Sequence, residues 1–124
     1  MTAKKPAHPL IPADRVNGTD VYNTAGDRLG KIEDVAIEKV SGTVAYAILS
    51  FGGVLGLGSK FHPVPWKLLK YDEYKRAYIV PMTKADLEKA PMIDEKQLSG
   101  WNDEADREVI HSFYAGYGIG PYWL

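Results

Sequence analysis

The stretch Thr43–Phe51, TVAYAILSF, is apolar on both parities of an extended strand. Successive side chains of a β-strand point to opposite faces, so a strand of this composition needs apolar cover on both faces. We expect one face to pack into the interior of a small barrel and the other to lie under a helix or a partner. The stretch therefore predicts a mainly β fold.

Short apolar runs separated by turn residues continue on both sides of this stretch. Turn formers occupy NTAGD (23–27), Ser41-Gly42 and DEYKR (72–76), and extended runs lie between them. The pattern predicts five or six short antiparallel strands that form a small β-barrel, either closed or partly open.

Two helices are expected after the strands. Thr83 and Asp86 have the spacing of a capping box, which predicts a short helix through Lys89, stopped by Pro91. Asn102 is the predicted N-cap of a second, amphipathic helix near the C-terminus. The apolar residues of that helix fall on one predicted stripe: Val109, Ile110, Phe113, Tyr114 and Tyr117.

The stretch GGVLGLGSKFHPVPW (52–66) has the glycine spacing of a phosphate-binding loop. Such a loop also needs its lysine before the hydroxyl residue and a helix directly after it. Here the serine precedes the lysine, and Pro63 and Pro65 exclude a helix. We therefore expect no nucleotide site.

The same stretch predicts a loop followed by an edge strand or a bulged strand. Proline has no backbone N–H, so Pro63 and Pro65 leave one side of the strand only partly able to pair. Val54, Leu55 and Leu57 lie among the glycines, where we expect them to contact a partner.

Composition limits the class of protein. A chain of 124 residues with 45% hydrophobic and 25% charged residues has the size and balance of one globular domain. The lack of cysteine excludes disulfides and thiolate chemistry, and His8, His62 and His111 show no metal-ligand spacing. No group of residues combines a nucleophile, a base and oxyanion donors. We expect a non-enzymatic protein with no catalytic residue, no cofactor and no metal.

Charge is uneven along the chain. Residues 1–85 carry 12 Lys and Arg against 8 Asp and Glu, and residues 86–124 carry 3 against 8, so the two parts have net charges of about +4 and −5. The charge of neither part of the chain indicates the concentrated basic face that nucleic-acid binding needs. No apolar stretch approaches the roughly 20 residues of a membrane span. We expect a cytoplasmic protein with no integral membrane segment and no nucleic-acid partner.

The region from Gly26 to Asp72 resembles the PRC-barrel domain, which the photosynthetic reaction-centre H subunit and bacterial ribosome-maturation factors share. The resemblance extends over about residues 15–92. It depends on motifs in a fixed order: Gly26-x-x-Leu29-Gly30-Lys31-Ile32-x-Asp34, the hairpin Ser41-Gly42, the strand end Phe51-Gly52-Gly53 and His62-Pro63-Val64-Pro65-Trp66.

The resemblance implies a barrel used for protein–protein interaction or scaffolding, with an unknown protein partner. The chain is most similar to the free-standing bacterial PRC-barrel proteins, whose roles are mostly undefined. Two other functions stay open. One is an accessory subunit that tunes electron or proton transfer in a membrane-associated, photosynthetic-type complex, with His62 as a possible proton relay. The other is RNA processing or ribosome maturation. The residues alone favour a structural role for His62, because buried polar groups normally find hydrogen-bond partners.

We divide the chain into a flexible N-terminal arm (1–14), the barrel (15–92) and a C-terminal helix with an aromatic tail (93–124). The tail is expected to cover the outer face of Thr43–Phe51 in the same chain or in a second copy, and we expect a homodimer. Together with the three apolar residues of the glycine loop, six aromatic residues form the predicted interaction surface: Trp101, Phe113, Tyr114, Tyr117, Tyr122 and Trp123.

Overall fold

The computed structural model describes residues 9–51, 61–93 and 107–121. Six strands of these residues form one sheet. The strands are β1 (Asp20–Asn23), β2 (Arg28–Ile37), β3 (Val44–Phe51), β4 (Phe61–Pro65), β5 (Lys70–Asp72) and β6 (Ala77–Val80). The described residues also form α1 (Ala13–Val16), α2 (Lys84–Lys89), α3 (Arg107–Ala115) and a 3-10 turn (Trp66–Leu68).

The order of the strands requires a curled sheet. They lie in the order β4-β3-β2-β1-β6-β5, and the two end strands do not pair with each other in the described part of the chain. Only residues 66–69 separate these end strands along the sequence. Such a connection spans less than about 20 Å, so the two edges of the sheet have to approach each other. The predicted mainly β, partly open barrel is confirmed.

One pair of strands departs from the predicted antiparallel arrangement. Four neighbouring pairs are antiparallel, but β1 and β6 are parallel, with Val21 next to Tyr78. The 3-10 turn is the reason, because the chain enters β5 in the same direction in which it leaves β4. All the remaining connections between consecutive strands reverse the direction of the chain. With an even number of reversals between them, β1 and β6 run in the same direction.

Strand β3 is buried on both faces, as its sequence predicts. Residues 45–49 are all buried. On one face Ala47 and Leu49 lie opposite Val64 and His62 of β4, and these four side chains are at most 2% exposed. This face is the packed interior of the barrel.

The other face of β3 is the outer face of the barrel. Tyr46 and Ile48 lie on it opposite the two prolines of β4, and they are 3% and 1% exposed. Helix α3 lies over this face, because its Ile110 and Tyr114 line a cavity together with Tyr46 and belong to the same buried cluster. The cover predicted for this face is thus supplied within one chain.

Helix α2 has the predicted bounds and the predicted cap. The N–H of Asp86 donates to the hydroxyl of Thr83 at 3.0 Å, and the carboxylate of Asp86 accepts from the N–H of Thr83 at 3.1 Å. This reciprocal pair satisfies two backbone donors that a helix start leaves open. The capping box is confirmed.

Helix α3 buries a narrower stripe than the sequence predicts. Ile110 and Tyr114 are each 1% exposed, but Val109 is 60% exposed. One residue corresponds to about 100° of rotation in an α-helix, so Val109 points away from the face that carries Ile110. The predicted N-cap, Asn102, lies outside the described residues.

Gly30 allows β2 and β3 to approach closely. It lies opposite Phe51, and a Cβ atom at this position would overlap with the carbonyl oxygen of Ser50. Because the obstacle is backbone, rotation of a side chain cannot relieve the overlap. This explains physically why glycine stands at this position of the motif.

We expect Gly30→Ala to lower the free energy of unfolding by about 2–4 kcal/mol, because the two strands have to separate to admit the methyl group. Urea denaturation followed by circular dichroism measures the change.

Gly120→Ala is the control, since a Cβ atom there meets nothing within 4 Å. Its effect should stay within about 0.5 kcal/mol. A Gly30→Ala protein as stable as the wild type would contradict the close approach of the strands.

Candidate functional site

A cleft lies between α3 and the outer face of the barrel, and we call it the helix cleft. Its volume is about 200 Å³. Its lining consists of Thr43 and the first three residues of β3 (44–46), Pro65 at the end of β4, Lys67 in the 3-10 turn, Ile110, His111 and Tyr114 of α3, and residues 119–121.

Tyr114 is buried where α3 meets the barrel. The side chain is 1% exposed, and its ring lies 4.9 Å from that of Phe113 and 5.9 Å from that of Tyr117. The hydroxyl has no hydrogen-bond partner among the described residues. Burial raises the pKa of this hydroxyl, and the neighbouring Tyr117 raises it further. A buried hydroxyl without a partner lowers the stability of the folded state by about 1–3 kcal/mol. At this position it is therefore the ring of Tyr114, and not its hydroxyl, that stabilises the docked helix.

Tyr117 links α3 to α2. Its hydroxyl lies close enough to the carboxylate of Asp86 for each group to shift the pKa of the other. The pKa of Asp86 is lowered, chiefly by the N–H of Thr83 and also by Tyr117. The pKa of Tyr117 is raised, first by burial and then by the negative charge of Asp86. The segment that follows α3 therefore lies beside the first turn of α2.

The β4 edge of the sheet is closed to a further strand. Phe61 and Ile93 exchange two backbone hydrogen bonds, of 3.0 and 2.8 Å, on the outer side of β4. Backbone groups alternate in direction along a strand, so Pro63 and Pro65 point to the same outer side as Phe61. Neither proline has an N–H, which leaves carbonyl acceptors and no donors beyond Phe61. The edge strand that the prolines predict is confirmed.

We call Lys70–Asp72 together with Tyr74 the β5 edge. In the described part of the chain β5 pairs with β6 alone, so the backbone groups on its other side have no strand partner. Tyr71 lies opposite Tyr78, with ring centroids 5.1 Å apart, and is 41% exposed. Tyr74, in the turn that follows, is 99% exposed. The ring of Trp66 also packs against Tyr78, at 5.3 Å. A strand side without a partner among the described residues and exposed aromatic side chains thus share one edge.

His62 lies in the interior of the barrel and not in the helix cleft. Its side chain is 2% exposed, it lies opposite Leu49, and its ring meets that of Phe51 edge-on at 6.0 Å. This is the position of a core residue. Its role as a proton relay stays a prediction.

The predicted interaction residues fall into two groups. Phe113, Tyr114 and Tyr117 lie on or directly after α3 and pack within the same chain. Six others lie outside the described residues: Val54, Leu55, Leu57, Trp101, Tyr122 and Trp123.

Sequence reasoning did not identify the cleft residues Lys67 and His111 or the β5 edge. The cleft brings together residues far apart in the chain, for which the sequence gives no local signal. The β5 edge does have a signal, because Lys70-Tyr71-Asp72 places opposite charges on either side of an aromatic residue.

Residues 9–51, 61–93 and 107–121 contain neither a membrane-spanning helix nor a cluster of metal-ligating side chains. No helix there has the length and apolar character to cross a bilayer. No three histidine or acidic side chains there are grouped as metal ligands.

A sequence model of the PRC-barrel domain matches residues 9–87. The chain belongs to the PRC-barrel family. The match includes all six described strands of the PRC barrel and ends within α2, whereas α3 lies outside it. The helix cleft therefore forms between the family's domain and a segment that follows it. No protein with a curated description matches the chain.

Two substitutions on the helix side of the PRC barrel should differ in their effect on stability. Tyr117→Phe removes the polar contact with Asp86 and should lower the free energy of unfolding by about 0.5–1 kcal/mol. Tyr114→Phe removes a buried hydroxyl without a described partner, so it should leave stability unchanged or raise it by up to about 1 kcal/mol. Urea denaturation measures both changes.

Tyr74→Phe is the control, because Tyr74 is almost fully exposed. Its effect should be negligible. A Tyr114→Phe protein less stable than the Tyr117→Phe protein would show that this account of α3 docking is wrong.

Proposed function

We propose that this PRC-barrel protein is a cytoplasmic, non-enzymatic protein–protein interaction module that works as a homodimer. The observation that supports the dimer is the β5 edge, where a short strand has no partner on its outer side among the described residues and carries exposed aromatic side chains. The backbone N–H and C=O groups of an edge strand are those with which a strand of another molecule pairs. The non-enzymatic role is supported by the sequence, in which no nucleophile and base are combined.

The sequence of β5 is complementary to itself. When two copies pair antiparallel about a twofold axis at Tyr71, Lys70 of each copy lies opposite Asp72 of the other. Opposite charges that face each other across a strand pair are stabilising, and twofold symmetry provides two such pairs. Parallel pairing in register would place like charges side by side. The charge pattern thus favours one geometry of self-association.

Aromatic side chains supply the apolar part of the proposed interface. Tyr71 would lie at the axis, and Tyr74 and the partly buried Trp66 would flank it. Tyrosine and tryptophan are enriched at protein interfaces and contribute much of their binding energy. A strand of three residues buries a small area, so we expect a dissociation constant of about 1–100 µM.

The proposed dimer leaves α3 on its own barrel. Ile110 and Tyr114 are already covered in the single chain, at 1% exposure each, and need no second copy. The proposal therefore depends on the β5 edge and not on exchange of the C-terminal helix. The proton-transfer and ribosome-maturation alternatives have only the family resemblance as support.

Sedimentation velocity over a range of concentrations tests the dimer. The wild-type protein should change from monomer to dimer as its concentration rises. Lys70→Glu would place two carboxylates opposite each other at two positions of the interface. We expect the dissociation constant to rise by about tenfold or more.

Lys39→Glu is the matched control, because it makes the same charge change on the exposed turn between β2 and β3. It should leave the dissociation constant unchanged. A wild-type protein that stays monomeric at about 300 µM, or equal effects of the two substitutions, would overturn the proposal.

A further inference from the structure

The helix cleft is large enough for a small molecule. Its volume is about 200 Å³. For comparison, an engineered apolar cavity of about 150 Å³ in another protein binds benzene. The helix cleft therefore has room for one six-membered ring with a short substituent.

The walls of the cleft suit the faces of an apolar ring. Aliphatic groups and two tyrosines from the barrel, from α3 and from the segment after α3 contribute to them. They are Val44, Tyr46, Pro65, Ile110, Tyr114 and Ile119. Apolar and aromatic walls with a few polar groups are typical of small-molecule sites.

The polar part of the lining favours an anion. Lys67 contributes an exposed ammonium group, His111 contributes a partly buried imidazole, and Thr43 contributes a hydroxyl. None of the described residues that line the cleft carries a carboxylate. A negatively charged ligand would meet a cation and no repelling charge, whereas a cationic ligand would meet Lys67.

We infer that the helix cleft binds a small amphipathic carboxylate, such as a single-ring aromatic acid, with its ring between α3 and the barrel and its carboxylate beside Lys67. Such a ligand contacts α3 and the barrel at once, so it stabilises the docked position of the helix. The site is separate from the proposed dimer interface, because none of its lining residues belongs to β5.

An NMR titration of the ¹⁵N-labelled protein with sodium benzoate tests the inference. We expect saturable shifts of the amides of Val44, Ile110 and His111, and slower hydrogen exchange in α3. Lys67→Met keeps the aliphatic side chain and removes the charge, so benzoate should bind about three- to tenfold more weakly. Lys75→Met, in the turn between β5 and β6, is the matched control and should leave binding unchanged.

Two further probes test the charge requirement on the unaltered protein. Benzamide is an uncharged analogue and benzylamine a cationic one, and both should bind at least about threefold more weakly than benzoate. These probes decide the question even if Lys67→Met fails to fold. The absence of saturable shifts at about 10 mM benzoate would overturn the inference. Equal binding of the three compounds, or of benzoate to a folded Lys67→Met protein and the wild type, would also overturn it.

Discussion

The burial of β3 on both faces is the constraint on which the rest of the structure depends. Its inner face packs against β4 within a curled sheet, and its outer face is covered by α3. Each large apolar side chain buried in this way stabilises the fold by about 1.5–3 kcal/mol. The inner packing depends on local features that hold the strands close, such as Gly30. The outer packing depends on a helix more than 50 residues later in the chain, so the PRC barrel and its C-terminal extension form one structure.

The two candidate sites arise where this packing is incomplete. The β4 edge has prolines and a bridge to Ile93, but the short strand β5 at the other edge keeps its outer backbone groups unpaired in the described residues. Helix α3 covers the outer face of β3 with two buried side chains and leaves a cleft beside them. One site would join two copies of the chain, and the other would bind a ligand that holds α3 in place.

The sequence predicted those features that depend on neighbouring residues. The two-sided strand, the capping box of Thr83 and Asp86 and the proline edge each have a local pattern. The parallel pairing of β1 and β6 depends on how the 3-10 turn directs the chain, which apolar periodicity does not encode. The exposure of Val109 depends on the rotation of α3 about its axis, which its contact with the barrel sets. The helix cleft combines β3, the end of β4 and α3, so its residues could be recognised only in the folded chain.

The central claim is that α3 covers β3 in the same chain, and a neighbouring pair of substitutions tests it. Ile110→Ala removes a side chain that is 1% exposed, whereas Val109→Ala removes one that is 60% exposed. Equilibrium unfolding in urea should show a loss of about 2–4 kcal/mol for Ile110→Ala and less than about 0.5 kcal/mol for Val109→Ala. The loss should be the same at every protein concentration. Equal effects of the two substitutions, or a loss that varies with concentration as packing between two copies requires, would contradict the account.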